Sequence, residues 1–183
     1  DYVFAPFVVD NEAAAGSQSV NYNCPWIQCY PYMIRSSFGD RETRGKFLVP
    51  TVHFRYSRRK LAADLSRFME ETFGTPPRDT VRAIGAAEAA QRSFLRAVSE
   101  EGRRTLADLP PDRNAFVVLG RPYNAEDPEL NLGLVKKLID LDVMPIPLDF
   151  LPLEQELGGV HRDYDMVCWP NAQRILAGAR IVA

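Results

Sequence analysis

The residues able to do chemistry fall into two groups. The first is a thiol pair, Cys24 and Cys29, inside Asn21-Tyr-Asn-Cys-Pro-Trp-Ile-Gln-Cys-Tyr-Pro31. Metal or cluster sites usually need more thiolates than a C-x4-C pair supplies. The second is Gly120-Arg-Pro-Tyr-Asn124, followed by Asp127-Pro128 and, further on, Asp149. Gly120 allows a turn without a Cβ, and Arg121 can fork onto a carboxylate or a phosphate. Tyr123 and Asn124 add hydrogen-bonding groups. The same residues are also ordinary turn formers, with Asp127 as a helix cap, and composition alone divides evenly between the two readings. No dinucleotide fingerprint, Walker loop or nucleophile elbow is present. His53 and His161 lack zinc spacing. Cys168, flanked by apolar residues, reads as a structural thiol. No self-sufficient catalytic set emerges.

The elements that must position these groups alternate between strand and helix. Residues 2–9 are rich in β-branched and aromatic side chains and predict a buried strand. Residues 10–20 predict a surface loop, and a short helix is predicted over 31–38, with Pro25 also suited to a first helical turn. Residues 47–54 predict a second strand, in which Pro50 implies an edge, a bulge or an end. Ser57 offers an N-cap to a helix whose apolar residues recur to Gly74. After Thr75-Pro-Pro77, Asp79 is the expected cap of a long packing helix with Ile84, Ala87, Ala90, Phe94, Leu95 and Val98 on one stripe.

Tandem prolines at 110 and 111 mark the best internal boundary. Residues 115–119 read as a parallel strand covered on both faces, and 143–146 as the next, with a helix from Pro128 between them. A final helix near 171–182 would bury Ile175, Leu176, Ala179 and Val182. The expected fold class is α/β, a Rossmann-like parallel sheet flanked by helices, in one lobe or two: 1–109 carrying the Cys24 motif and 113–183 carrying the βαβ unit. Gly120, Arg121, Tyr123, Asn124 and Asp149 then share the carboxyl edge of the strands, where ligands bind in open parallel sheets. The Cys24 segment is expected to face that edge.

Bulk properties bound the rest. The chain has 183 residues, 22 Lys and Arg against 24 Asp and Glu, and a net charge of −2. That balance does not argue for nucleic acid as a partner, and the basic runs at 55–60 and 101–104 read as solvated helix faces. No apolar run reaches membrane-spanning length. Three cysteines without framework spacing point to a reducing cytoplasm. Both termini read as cut from a larger multidomain protein.

Four ordered motifs carry a resemblance. Asn23-Cys-Pro-Trp-Ile-Gln28 with Tyr30-Pro-Tyr-Met-Ile-Arg35 comes first, then Phe47-Leu-Val-Pro-Thr-Val-His-Phe54. Gly120-Arg-Pro-Tyr-Asn124 with Asp127-Pro128 and Asn131 follows, and Ile146-Pro-Leu-Asp-Phe-Leu-Pro152 closes the set. Together they resemble the dehydratase-like domain of the activase-related proteins of 2-hydroxyacyl-CoA dehydratases. The resemblance implies a fused or separate ATPase partner, a 4Fe-4S iron–sulfur cluster in the full-length protein, and ATP-linked low-potential electron transfer. It implies Cys24 as one metal ligand, with partner cysteines beyond this region, so that the fragment alone would be inactive. Under this resemblance Arg121 is suited to an anionic acyl-CoA or a partner carboxylate at the strand-end edge. Cys29 and the wording from Cys168 to Gln173 depart from the family pattern. Two rival readings stand beside it: an interaction domain that keeps the fold without a cluster, and a metal-free small-molecule binding module.

Overall fold

The computed structural model describes residues 1–12, 22–164, 166–167 and 169–183. The loop expected over 10–20 and the thiol of Cys168 therefore lie largely or wholly outside the described residues. In order, the elements are β1 (Val3–Phe4), β2 (Phe7–Asp10), α1 (Pro25–Ser37), α2 (Arg41–Gly45), β3 (Phe47–Leu48), β4 (Thr51–His53), α3 (Arg58–Phe73) and α4 (Pro77–Ala107). They continue with β5 (Ala115–Val118), α5 (Pro122–Glu126), α6 (Leu134–Asp140), β6 (Met144–Pro147), a 3-10 turn (Leu148–Phe150), α7 (Glu154–Asp163) and α8 (Pro170–Val182). The chain is mixed α/β, predominantly helical, with small parallel sheets. It divides into two compact units, Asp1–Ala89 and Ala90–Ala183, the division falling inside α4.

In the first unit, the two expected strands each split in two at a proline. β1 pairs with β3 and β2 with β4, both parallel. Between the halves, the Ala5 N–H donates to Leu48 O and the Phe7 N–H to Pro50 O, each at 2.9 Å, so the ladder crosses the breaks. Proline removes a donor but keeps its carbonyl, which is why Pro50 can still accept. α1 starts six residues earlier than expected, with Pro25 at its first position. Pro31 is an interior residue, fully buried where α1 packs on β2. Burial there offsets the backbone hydrogen bond that Pro31 cannot make.

The helix from 58 follows its sequence signals. The Ser57 side chain accepts from the Lys60 N–H, and Gly74 closes α3 in the left-handed region at φ 66°. α4 begins at Pro77, so Asp79 lies inside its first turn rather than capping it. The expected packing stripe of α4 is largely open: Phe94 and Leu95 are exposed, as are Ala87 and Ala90.

In the second unit β5 and β6 pair in parallel, Ala115 opposite Met144 through Val118 opposite Pro147. Among the described residues this sheet has only these two strands, and Phe116 is 56 % exposed, so β5 is not covered on both faces as its apolar run implies. The connection holds two short helices rather than one. Pro128 lies in a turn, where Asp127 Oδ1 accepts from the Glu129 and Leu130 N–H groups. Asn131 then donates to Ala125 O and accepts from the Leu134 N–H, stitching the turn to α5 and α6.

Ile146, Leu148, Leu151, Leu153, Val160 and Ala177 form the core, backed by Leu106, Ile175, Leu176 and Ile181. The buried line of α8 runs through Gln173, Ala177 and Gly178, and Val182 is exposed. Gly178 is needed there, since a Cβ would stand well inside contact distance of a Leu148 methyl and 3.1 Å from Leu119 Cδ2.

Candidate functional site

Cys24 belongs to the first unit and is positioned by its neighbour Asn23. The Asn23 N–H donates to Val9 O at 3.0 Å, and its side-chain amide donates to Val8 O at 3.0 Å. Its side-chain oxygen accepts from Asn11 at 2.7 Å, and its carbonyl accepts from the Gln28 amide at 2.7 Å. Tyr22 adds an antiparallel bridge to Asp10. These contacts tie the motif to the carboxyl end of β2 and start α1 directly afterwards. Cys24 is the N-cap residue, half-buried, with φ −53° and ψ 137° and no side-chain capping bond. The residue thus stands at the N-terminal end of α1, beside the helix's unpaired N–H groups.

Cys29 lies further along α1 and is exposed. Among the described residues, no three His, Cys, Asp or Glu side chains stand together so as to hold a metal ion. A four-iron cluster needs several thiolates. The donor set does not fit a cluster held by the described residues alone.

The five expected crevice residues all lie in the second unit, and the structure sorts them. Gly120 and Asp149 line one cavity of about 240 Å³ beyond the ends of β5 and β6, with Val118, Glu126, Val135 and Pro147 among its other walls. Arg121, Tyr123 and Asn124 are not in that lining. Arg121 Nη1 donates to the Tyr123 hydroxyl at 2.7 Å, and Asn124 contributes its backbone N–H to Arg121 O. Arg121 and Tyr123 thus pair with each other at the start of α5. The cavity walls are mostly apolar and proline-rich, with acceptor-only carboxylates at Glu126 and Asp149.

One residue beside this cavity escaped the sequence reading. Arg174 of α8 pairs with Asp149 at 2.5 Å, each side chain about one-third exposed. It is the charged residue beside the buried Gln173 of α8, which is the only local signal it carries. The pairing spans 25 positions and is invisible to periodicity. A second clasp in this unit joins α7 to α8, where Arg180 meets Glu156 at 3.0 Å and Asp163 at 2.6 Å. The Arg180 hydrogen bond holds the Asp163 carboxyl below the usual range, with Arg162 assisting. Among the described residues, no helix is long and apolar enough to cross a membrane.

Comparison with protein-family models matches residues 1–151 to the family described as the CoA enzyme activase uncharacterised domain (DUF2229). Comparison with curated proteins found no match. Comparison with solved structures also found none. The family match covers both strand pairs of the first unit, the Cys24 motif, and the βαβ unit through Asp149. By that match, the chain belongs to the CoA enzyme activase family and carries its uncharacterised domain.

Proposed function

We propose that this chain is the dehydratase-like domain of an activator protein that works in ATP-linked, low-potential electron transfer for 2-hydroxyacyl-CoA dehydration or a related reduction. In this reading the fold is Rossmann-like, and the ATPase is a fused or separate partner in the cytoplasm. A bound 4Fe-4S cluster would supply one-electron reducing power at low potential. The observation that carries the reading is Cys24, held at the N-terminus of α1 by the four hydrogen bonds of Asn23. Such outer hydrogen bonding fixes where a ligand atom points and is what metal sites use to orient their donors. Cys24 would contribute one thiolate, its partner cysteines lying outside this chain. The cavity at Gly120 and Asp149 is the candidate contact for an acyl-CoA, with Arg174 holding the Asp149 carboxylate in place.

The test is anaerobic reconstitution of the full-length protein with iron and sulfide, comparing Cys24→Ser with Cys29→Ser. Cys24→Ser should lose iron and acid-labile sulfide while Cys29→Ser keeps both. Full iron content in Cys24→Ser would remove Cys24 from the ligand set.

A second reading has its own support. The outer face of α1 is apolar and open, with Trp26 71 % exposed and Tyr30, Met33 and Ile34 beside it at helical spacing. Aromatic and Met side chains of this kind are enriched in the centres of protein interfaces. An interaction domain without a cluster would use this face, and it is the reading that remains if no iron is retained by the wild-type protein.

A further inference from the structure

Asp10 and His53 stand opposite each other at the carboxyl ends of β2 and β4, after a register shift between Val8 and Asp10. Irregularities of this kind re-aim side chains at strand ends. Asp10 is 2 % exposed. A buried carboxyl group needs hydrogen-bond partners, and Asp10 has one on each oxygen. Oδ1 accepts the Arg55 N–H at 2.9 Å, and Oδ2 lies 2.6 Å from His53 Nδ1. A carboxylate that accepts at both oxygens leaves the proton on Nδ1. In the neutral tautomer with its proton on Nδ1, the ring presents the lone pair of Nε2, the arrangement in which an acid orients an imidazole.

The His53 ring packs on Tyr56 with centroids 5.1 Å apart, and its side chain is 28 % exposed. It lines a cavity of about 380 Å³ with Thr51, Lys60, Asp64, Arg67 and Glu71. Nε2 takes no hydrogen bond from any described residue. Lys60 and Arg67 converge on Asp64 at 2.6 and 2.9 Å from one face of α3. The Lys60 hydrogen bond holds the Asp64 carboxyl below the usual range. The charged lining is therefore two cations and two carboxylates beside an imidazole acceptor.

We propose that this cavity binds a phosphate group, free or as a monoester, independently of the electron-transfer reading above. Nε2 of His53 accepts the hydrogen bond of a P–OH group, and Lys60 and Arg67, each paired with Asp64, offer their remaining N–H donors to the anionic oxygens. A phosphate that keeps one P–OH, as hydrogen phosphate or as the monoanion of a monoester, carries both a donor for the imidazole and charge for the two cations. A carboxylate at neutral pH lacks the donor. A metal ion would ask for further ligands that the described residues do not group together.

The chain has two histidines, so long-range proton–nitrogen NMR gives two imidazole patterns, separated by a His53→Gln variant. The probes are inorganic phosphate and a nucleoside monophosphate, each titrated at constant ionic strength. The expected result is an Nδ1–H tautomer at His53 and a saturable shift of its Nε2 signal, with His161 unmoved. Saturation by both probes identifies free phosphate as sufficient, whereas saturation by the monophosphate alone identifies an ester. Lys60→Met, a surface change that leaves the Asp10–His53 pair in place, should weaken binding about tenfold or more. The proposal is overturned if neither probe shifts His53 saturably or if both imidazoles shift alike. It is equally overturned if the ligand-free ring carries its proton on Nε2, or if Lys60→Met binds both probes as tightly as wild type.

Discussion

Replacing Gly102 with alanine places a methyl group where α4 meets the turn that carries Asp149. An added Cβ would lie 2.5 Å from Phe150 O, 2.6 Å from its Cα and 2.9 Å from its carbonyl carbon. All three are backbone atoms of the 3-10 turn, closed by the Leu151 N–H to Leu148 O bond, and cannot rotate aside as a side-chain tip can. Comfortable carbon contacts begin near ~3.5 Å, so the helix and the turn must part by about 1 Å. Alanine favours a helix interior over glycine by about 0.8–1 kcal/mol, while overpacking of a close contact costs about 1–3 kcal/mol.

Gly85 supplies the control. It lies in the same helix, and its added Cβ would meet only the flexible Arg58 Nη2, at 3.4 Å. Gly85→Ala should therefore keep the helix gain, and Gly102→Ala should fall below it by the overpacking cost, about 1–3 kcal/mol. The two tryptophans lie one in each unit, Trp26 and Trp169. Urea titrations in Trp26→Phe and Trp169→Phe backgrounds thus read each unit by fluorescence. Equal stabilisation by the two glycine replacements would refute the close approach of α4 to Phe150.

Two further outcomes follow from the second unit. Ile146 is 1 % exposed at the centre of the core, so Ile146→Ala should cost about 2–5 kcal/mol in the same urea titration, while Phe116→Ala on the open face of the neighbouring strand should stay within about 1 kcal/mol. The Asp163 carboxyl is held below its ordinary value mainly by Arg180, so its contribution is present above the unfolded value, near pH ~4, and is lost as pH falls through the folded one. Melting temperatures of wild type and Asp163→Asn should differ at neutral pH and draw together as pH falls below about 4; a gap that stays constant through that fall would show that Asp163 acts otherwise.

What could be read beforehand was whatever is written locally. α3 is bounded by Ser57 and Gly74 because a cap and a left-handed glycine act within one turn of themselves. The parallel pair β5–β6 followed from two apolar runs separated by a connection long enough for a crossover. Pro31 misled because proline usually opens a helix, and only its burial on β2 explains a proline inside one. Pro50 marked its own strand break, whereas the matching break at Pro6 depends on which strand lies alongside.

The site divided along the same line. Gly120 and Asp149 meet at one cavity because both follow strand ends, a rule of topology. Arg121 and Tyr123 found each other two residues apart, which composition could not distinguish from a contact to ligand. The Asp149–Arg174 and Asp10–His53 pairs join positions 25 and 43 residues apart and required the fold.

The most direct test of Cys24 as a cluster ligand is electron paramagnetic resonance of the reduced, anaerobically reconstituted full-length protein in wild-type, Cys24→Ser and Cys29→Ser forms. An oxygen ligand in place of a thiolate changes the electronic environment of the cluster and its potential. The expected result is an altered or missing signal in Cys24→Ser and an unchanged one in Cys29→Ser. A wild-type signal in Cys24→Ser would contradict the assignment.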